Sequence, residues 1–197
     1  RQGPSTDFIK AIKTVASKDK FIAEDLGFVT VQSEYLRLFS GFAGMKVIQF
    51  GFDIKGDNEH LPHNYEKNSV VYTGTHDNAT LRHWTKYTEE SRIKKALAYT
   101  NCRRRRHLPE CMLKTALGSK SRLAVISLQD YLSVGAEGRI NTPSTVGGNW
   151  LWRLNALDLN EAFAHQINEL CALYGRSESK AEPIRSLRTD VDKRIAL

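Results

Sequence analysis

Short apolar runs alternate with segments of helical periodicity along this chain. Four runs have the length and the β-branched or aromatic content typical of buried strands, at 21–23, 45–50, 70–72 and 122–128. Apolar residues spaced three or four positions apart predict amphipathic helices at 7–16, 30–39, 81–87, 92–100, 112–117 and 160–174. Strands that alternate with helices usually pair in parallel through right-handed crossovers, so the pattern predicts an α/β fold.

Polar segments separate the predicted strands and helices and follow the last helix. The segment 53–68 holds Gly, Pro and Asn with few apolar residues, and the segment 135–148 is rich in Gly, Pro and Thr, so both are predicted to be loops. From residue 177 onward the chain is polar and charged. We therefore predict one folded domain over 1–176 and a polar tail over 177–197.

Two of the predicted strands end abruptly in polar side chains. Glu24 and Asp25 follow the first strand, and His76, Asp77 and Asn78 follow the third. Parallel α/β barrels build their active sites from residues at the carboxyl ends of their strands, so these residues predict a catalytic rim. A complete barrel needs eight strands and about 250 residues, whereas four strands make half of one.

Composition limits the class of protein. With 197 residues, 41% hydrophobic and 26% charged, the chain resembles an ordinary soluble domain, and no apolar run is long enough to span a bilayer. Its three cysteines lack metal-site spacing, which favours reduced thiols and an intracellular protein. The first ten residues lack the apolar core of a signal peptide, so we expect none.

Positive charge is concentrated in one part of the sequence. Residues 92–122 hold ten Lys or Arg and one acid, a net charge of +9, whereas the rest of the chain carries −2. The centre of this segment is the run Arg103, Arg104, Arg105 and Arg106. The run could contact nucleic acid or another anionic surface. Because the interleaved aromatics of a stacking platform are missing, we expect a solvated helix face and no nucleic-acid partner.

Six motifs, in order and with similar spacing, identify a resemblance to a known family. They are Ile-Ala-Glu-Asp-Leu-Gly (22–27), Gly-Met-Lys-Val (44–47), Leu-Pro-His-Asn-Tyr (61–65), Thr-Gly-Thr-His-Asp-Asn (73–78), Leu-Gln-Asp (128–130) and Asn-Thr-Pro-Ser-Thr-Val-Gly-Gly-Asn-Trp-Leu-Trp-Arg (141–153). Together they resemble the amylomaltases, or 4-α-glucanotransferases, over residues 3–176. The resemblance implies a (β/α)₈ TIM barrel of the α-amylase clan, of which this chain would be the C-terminal half, about strands five to eight.

The resemblance also implies a reaction and roles for the strand-end residues. The family transfers α-1,4-glucan segments between maltooligosaccharide, starch or glycogen chains with retention of configuration, which needs two carboxyl groups about 5 to 5.5 Å apart. By position in the motifs, Glu24 matches the general acid/base and Asp77 matches the carboxylate that stabilises the transition state. His76 matches the residue that hydrogen-bonds the same sugar as Asp77. From the residues alone, Glu24 could instead cap the following helix, and Asp25 is the better candidate for a cap or a supporting residue. No cofactor and no metal are implied.

The remaining motif residues suit the binding of sugars. Aromatic rings stack on pyranose faces, and amide, imidazole and guanidinium groups reach hydroxyls. The candidates for substrate binding are Asn78, His63, Asn141, Asn149, Trp150, Trp152 and Arg153. Because residues i and i+2 of an extended segment point in opposite directions, we expect one of the two tryptophans to be structural.

The family's nucleophile has no match in this sequence. It is an Asp in an Arg-x-Asp-His setting, upstream of the Ala-Glu-Asp-Leu-Gly motif, and Arg188-Thr189-Asp190, in the polar tail, is rejected as a substitute. We therefore expect the chain to be inactive alone and to need the N-terminal half of the barrel as a partner. The alternatives are a non-catalytic glucan-binding or assembly half-barrel, a hydrolase of the same clan, or an anion-binding protein. The expected compartment is the cytoplasm, or the plastid stroma in a plant or alga.

Overall fold

The computed structural model describes residues 3–27, 29–53, 55–155 and 158–177. They contain one four-stranded sheet in the order β1-β2-β3-β4, and every neighbouring pair is parallel. The strands are β1 (Ile22–Ala23), β2 (Ala43–Val47), β3 (Ser69–Tyr72) and β4 (Leu123–Val125). The prediction of an α/β fold with parallel strands is confirmed.

Helices separate the strands in the chain. They are α1 (Ser5–Val15), α2 (Val31–Ser40), α3 (Ile48–Asp53), α4 (Leu81–Tyr87), α5 (Glu90–Tyr99), α6 (Leu108–Leu117), α7 (Leu128–Tyr131) and α8 (Glu161–Leu173). The six predicted helices are all present, with ends that shift by up to four residues. Capping residues explain both ends of α2: the helix begins after Thr30, which forms a capping box with Ser33, and it is followed by Gly41 in the left-handed conformation.

Two predicted strands are shorter than the apolar runs that suggested them. The run 45–50 leaves the sheet after Val47 and continues as α3, and the run 122–128 is a strand only over Leu123–Val125 before α7 begins at Leu128. A short apolar run has the same composition in a buried strand and in a buried helix, so the pattern could not separate them. As a result, the predicted extended segment 48–50 is wrong.

The core lies between the sheet and the helices that follow β2 and β3. All five residues of β2 are buried, and helices α3 with α5 and α4 with α6 pack together. The largest fully buried apolar side chains are Phe52, Ile48, Leu81, Ile93, Leu108 and Met112. The outer strands are different, because Ile22 on β1 and Leu123 on β4 remain 46% and 47% exposed.

The arginine run lies in the connection between α5 and α6 and not on the helix face that the sequence predicts. Asn101, with a positive φ of 52°, follows the end of α5, and a 3₁₀ turn over Arg105–His107 precedes α6. Arg103 and Arg104 are exposed. Arg105 is committed to the fold, since its guanidinium pairs with Glu90 at 2.9 Å and donates to the Thr85 carbonyl at 2.6 Å.

The chain divides into two compact units, 1–153 and 154–197. In the second unit, α8 begins after Asn160, whose side chain accepts a hydrogen bond from the Phe163 amide. The predicted polar tail lies outside the described residues, apart from Ser177. None of the helices among the described residues combines the length and the apolar character needed to cross a membrane.

Candidate active site

The two adjacent acids after β1 lie in different environments. Glu24 is exposed and forms no hydrogen bond or ion pair with any residue that the structure describes. The Asp25 side chain is only 11% exposed, its Oδ1 accepts a hydrogen bond of 2.7 Å from the Met45 amide, and its Oδ2 lies 3.4 Å from Nε of Arg37. Asp25 thus ties β1 to β2 and α2, while the Glu24 carboxylate is open to solvent.

Arg37 and Gly44 both lie against the carboxylate of Asp25. Arg37 also pairs with Glu34 at 2.7 Å and with Glu66 at 3.5 Å, and its pKa is raised above its usual value first by the hydrogen bonds that it donates to Glu34. A Cβ atom on Gly44 would collide with Oδ2 of Asp25. The strand therefore needs a residue without a side chain at position 44.

Glu24 borders an open cleft. The cleft lies between α1, α2 and the end of β1, and Ile9, Ser33 and Phe42 contribute to its walls beside the two acids. A carboxylate at the mouth of a partly apolar cleft can meet a ligand without first breaking a contact within the fold.

The turn after β3 carries three of the predicted site residues. Asn78 closes this turn, because its Oδ1 accepts hydrogen bonds from the amide and the hydroxyl of Thr75, at 2.9 and 2.8 Å. The side chain of Asn78 thus shapes the turn that presents His76 and Asp77. Both of these residues remain accessible, with side chains 53% and 44% exposed.

Asp77, His76, Asn141 and Trp150 form one cluster. Oδ1 of Asp77 accepts a hydrogen bond of 2.5 Å from Nδ2 of Asn141, and Nε2 of His76 lies 3.4 Å from the same oxygen. The Trp150 ring lies against the His76 ring with 5.1 Å between centroids and a 35° tilt. Trp150 is 56% exposed, so this cluster offers a carboxylate, an imidazole and an aromatic surface to solvent.

A buried acid supports the base of this turn. Oδ1 of Asp130, which is 7% exposed, accepts a hydrogen bond of 2.7 Å from the Leu81 amide, and Oδ2 accepts one from the Thr73 hydroxyl. Burial raises the pKa of Asp130, against the effect of these hydrogen bonds. In the sequence, Asp130 belongs to the Leu-Gln-Asp motif (128–130), and no role is predicted for it. Its contacts hold both ends of the segment 73–81.

The loop that follows Ile140 is organised by two other predicted site residues. Oδ1 of Asn149 accepts a hydrogen bond of 2.9 Å from the Thr142 amide, and its Nδ2 donates to the Thr145 hydroxyl at 3.0 Å. Arg153 donates to the carbonyls of Trp150 and Trp152, both at 2.8 Å. Trp152 is less exposed than Trp150. In this structure Asn149 and Arg153 stabilise the loop, while Trp150 is the ring that reaches the His76 cluster.

His63 lies away from this cluster, in the segment that precedes β3. Its ring nitrogens contact Oδ1 of Asp57 at 3.1 Å and the Tyr99 hydroxyl at 3.0 Å. Tyr99 ends α5 and Asp57 lies in the loop after α3, so neither partner belongs to the Asp77 cluster. A place for His63 in a sugar subsite therefore stays a prediction.

The topology places both groups of acids at the C-terminal ends of the strands, on the same side of the sheet. The strands are parallel, so residues after β1 and after β3 leave the sheet at the same end. One strand, β2, separates them, which corresponds to about 10 Å between β1 and β3 at the usual strand spacing. This end of the sheet thus carries an open carboxylate at Glu24 and a second, oriented carboxylate at Asp77.

Comparison with known proteins shows the family. A sequence model of the family described as 4-alpha-glucanotransferase matches residues 1–159. The chain is 40% identical to a chloroplastic or amyloplastic 4-alpha-glucanotransferase of Arabidopsis thaliana over 177 residues, and 38% identical to a 4-alpha-glucanotransferase of Clostridium butyricum over 178. The chain belongs to the 4-alpha-glucanotransferase family.

A solved structure in this family has the same fold. An amylomaltase from Streptococcus agalactiae, in complex with acarbose, matches 90% of this chain with a TM-score of 0.83 and 33% identity. The resemblance that the six motifs indicate is confirmed. The parallel sheet corresponds to part of the TIM barrel of this family.

The chain spans about a third of the length of these relatives. The matches cover 88% and 90% of this chain but 31% of the Arabidopsis protein and 37% of the Clostridium protein, and the chain covers 36% of the Streptococcus amylomaltase. About two thirds of each of these relatives therefore lies outside the part that matches this sequence.

Proposed function

We propose that this chain supplies the general acid/base and the transition-state carboxylate of a 4-alpha-glucanotransferase that acts on α-1,4-glucans. The observation that carries the proposal is the contrast between Glu24, whose carboxylate is exposed beside a cleft, and Asp25, whose carboxylate is occupied by Met45 and Arg37. A general acid must reach the glycosidic oxygen without giving up contacts in its own fold. Of these two acids, Glu24 meets that condition.

The chemistry assigned to Glu24 has two stages. Its carboxyl group first protonates the leaving glycosidic oxygen while a nucleophile attacks the anomeric carbon. Its carboxylate then removes the proton from the hydroxyl of an acceptor sugar, which attacks the glycosyl-enzyme intermediate. An acceptor sugar in place of water makes the net reaction a transfer between glucan chains and not hydrolysis.

Asp77 and His76 are assigned to the sugar that reacts. Oδ1 of Asp77 is held by Asn141, while Oδ2 accepts no hydrogen bond from the described residues and can accept one from a sugar hydroxyl. Hydrogen bonds to sugar hydroxyls that strengthen as the ring distorts stabilise the oxocarbenium-like transition state. Trp150, whose ring lies tilted against the ring of His76, offers an apolar surface for a pyranose face.

The nucleophile is proposed to come from the segment that precedes this chain in the complete barrel, so this chain corresponds to strands five to eight. In the described residues β1 is an outer strand, and Ile22 on it is half-exposed. In the complete barrel, the strand that precedes β1 would pair with it and cover its free edge. The acid at the end of that strand would then lie next to Glu24. We infer that the chain alone is inactive.

The cytoplasm or plastid stroma stays the predicted compartment.

Disproportionation of maltotriose tests these assignments. The assay compares the chain alone with the chain fused behind the N-terminal two thirds of the Clostridium butyricum relative, with folding checked by circular dichroism and gel filtration. We expect glucose and longer maltooligosaccharides from the fusion only. Glu24→Gln should lower the rate of the fusion by about 10²- to 10⁴-fold, whereas Glu89→Gln, at an exposed glutamate in the helical layer, should not.

Each other outcome has a defined meaning. Transfer by the chain alone would overturn the division of the catalytic carboxylates between two segments. A folded fusion that binds acarbose without transfer would favour the non-catalytic glucan-binding alternative. Free glucose without longer products would indicate hydrolysis.

A further inference from the structure

Arg139 connects two segments that meet at Asp77. The residue is partly buried, its Nη2 donates a hydrogen bond of 2.7 Å to the carbonyl oxygen of Asp77, and its Nε donates one of 2.9 Å to the carbonyl oxygen of Asn141. One rigid guanidinium group thus fixes the main chain of the turn after β3 relative to the loop at 139–153.

Asn141 makes the same connection with its amide groups. Its backbone N–H donates to the His76 carbonyl at 3.1 Å, and its side-chain Nδ2 donates to Oδ1 of Asp77 at 2.5 Å. Together with the two bonds from Arg139, three of these four hydrogen bonds end on His76 or Asp77. We call this group of two residues the Arg139–Asn141 clamp.

The clamp continues into the aromatic contact above it. The Trp150 amide donates a hydrogen bond of 2.7 Å to the carbonyl oxygen of Ile140, which lies between the two clamp residues. This bond holds the backbone of Trp150 where its ring meets the ring of His76. The positions of Trp150, His76 and Asp77 therefore depend on one short segment, 139–141.

We propose that Arg139 and Asn141 are positioning residues, which hold Asp77 with Oδ1 occupied and Oδ2 directed to the sugar and which seat Trp150 on His76. This inference rests on the proposed function of Asp77. An exposed carboxylate without such a donor samples several rotamers, and a displacement of a positioned group by about 1 Å can cost about 10²-fold in rate. Arg139 touches no substrate atom in this proposal and acts through Asp77.

The kinetic test uses the two-part fusion described above. In Arg139→Gln we expect kcat for maltotriose to fall by about 10- to 100-fold with a small change in KM, because the effect is on the orientation of Asp77 in the transition state. Arg139→Lys should restore part of the loss. Arg82→Gln is the matched control, since Arg82 donates to the Ser133 carbonyl at 2.8 Å and lies outside the clamp.

A double-mutant cycle separates positioning from a general structural effect. Because the clamp acts through Asp77, Arg139→Gln should have little further effect on the residual rate of Asp77→Asn. Full additivity of the two changes would overturn the proposal. So would an Arg139→Gln variant that melts at a lower temperature but keeps kcat.

Hydrogen exchange gives a readout that needs no activity. In Arg139→Gln and Asn141→Ala, amide exchange should speed up at 75–78 and at Trp150 and should stay unchanged in α6. Unchanged exchange at 75–78 would overturn the clamp even if the wild-type fusion proved inactive. A wild-type fusion without transfer, but with the expected local exchange, would reject the proposed function and keep the clamp as a structural element.

Discussion

The carboxylate of Asp25 accepts a hydrogen bond of 2.7 Å from the backbone amide of Met45, on the neighbouring strand. The last register pair of β1 and β2 is Ala23 with Gly44, and this bond lies directly beyond it, so it closes the end of the strand pair. It also fixes the direction in which the preceding residue, Glu24, projects. Two adjacent acids thus have separate functions, one in the fold and one open for chemistry.

The first prediction compares these two acids. Asp25→Ala leaves the Met45 amide and the Arg37 guanidinium without this partner, so we expect the free energy of unfolding to fall by about 2 kcal/mol. Glu24→Ala, at an exposed side chain without a partner among the described residues, should change it by less than about 0.5 kcal/mol. Urea unfolding of both variants checks this, and equal losses would contradict the division between the two acids.

The second prediction concerns Gly44. A Cβ at this position meets Oδ2 of Asp25, so Gly44→Ala must displace the carboxylate or the strand, and we expect a loss of about 1 to 3 kcal/mol. Gly3→Ala is the control, because its Cβ would meet no atom within 4 Å. Thermal unfolding of the two variants gives the comparison. A Gly44→Ala protein as stable as Gly3→Ala would show that Asp25 moves away at no cost.

The third prediction is the pH dependence produced by Asp130. Burial raises its pKa in the folded state above the unfolded value of 3.8, so the folded protein binds the proton more tightly. Its contribution to stability is therefore present below 3.8 and is lost as pH rises through the folded pKa. Asp130→Asn removes this titration, so its stability relative to the wild type, measured by urea unfolding, should increase as the pH rises above about 4. A constant difference between the two proteins would reject the shift.

The fourth prediction has the opposite sign and concerns His60. Burial lowers its pKa below 6.5, and its Nδ1 accepts a hydrogen bond of 3.2 Å from the Val47 amide, which requires that this nitrogen carry no proton. The stability from neutral His60 is present above pH 6.5 and is lost as pH falls through the folded pKa. Urea midpoints between about pH 5 and pH 8 should vary less in His60→Gln than in the wild type. A pH dependence that is the same in both proteins would exclude His60 as its source.

The sequence by itself determined the alternation of strands and helices, the parallel sheet, the family and the position of Glu24 and Asp77 after the ends of strands. These features follow from local signals, since apolar periodicity and motif spacing are properties of contiguous residues. The compact helix α3, hidden in the apolar run 45–50, was the local feature that composition could not resolve, because burial in a helix and in a strand needs the same residues.

Only the tertiary structure decided how the polar groups are shared. The hydrogen bonds from Met45 to Asp25, from Arg139 to Asp77 and from Thr73 to Asp130 join residues 20, 62 and 57 positions apart. Asp25, whose carboxylate is bonded within the fold, and Asp77, whose Oδ2 is open to a ligand, are the same type of residue. They differ in which donors the folded chain brings within about 3 Å, and that distance is set by the packing of strands and loops that are remote in sequence.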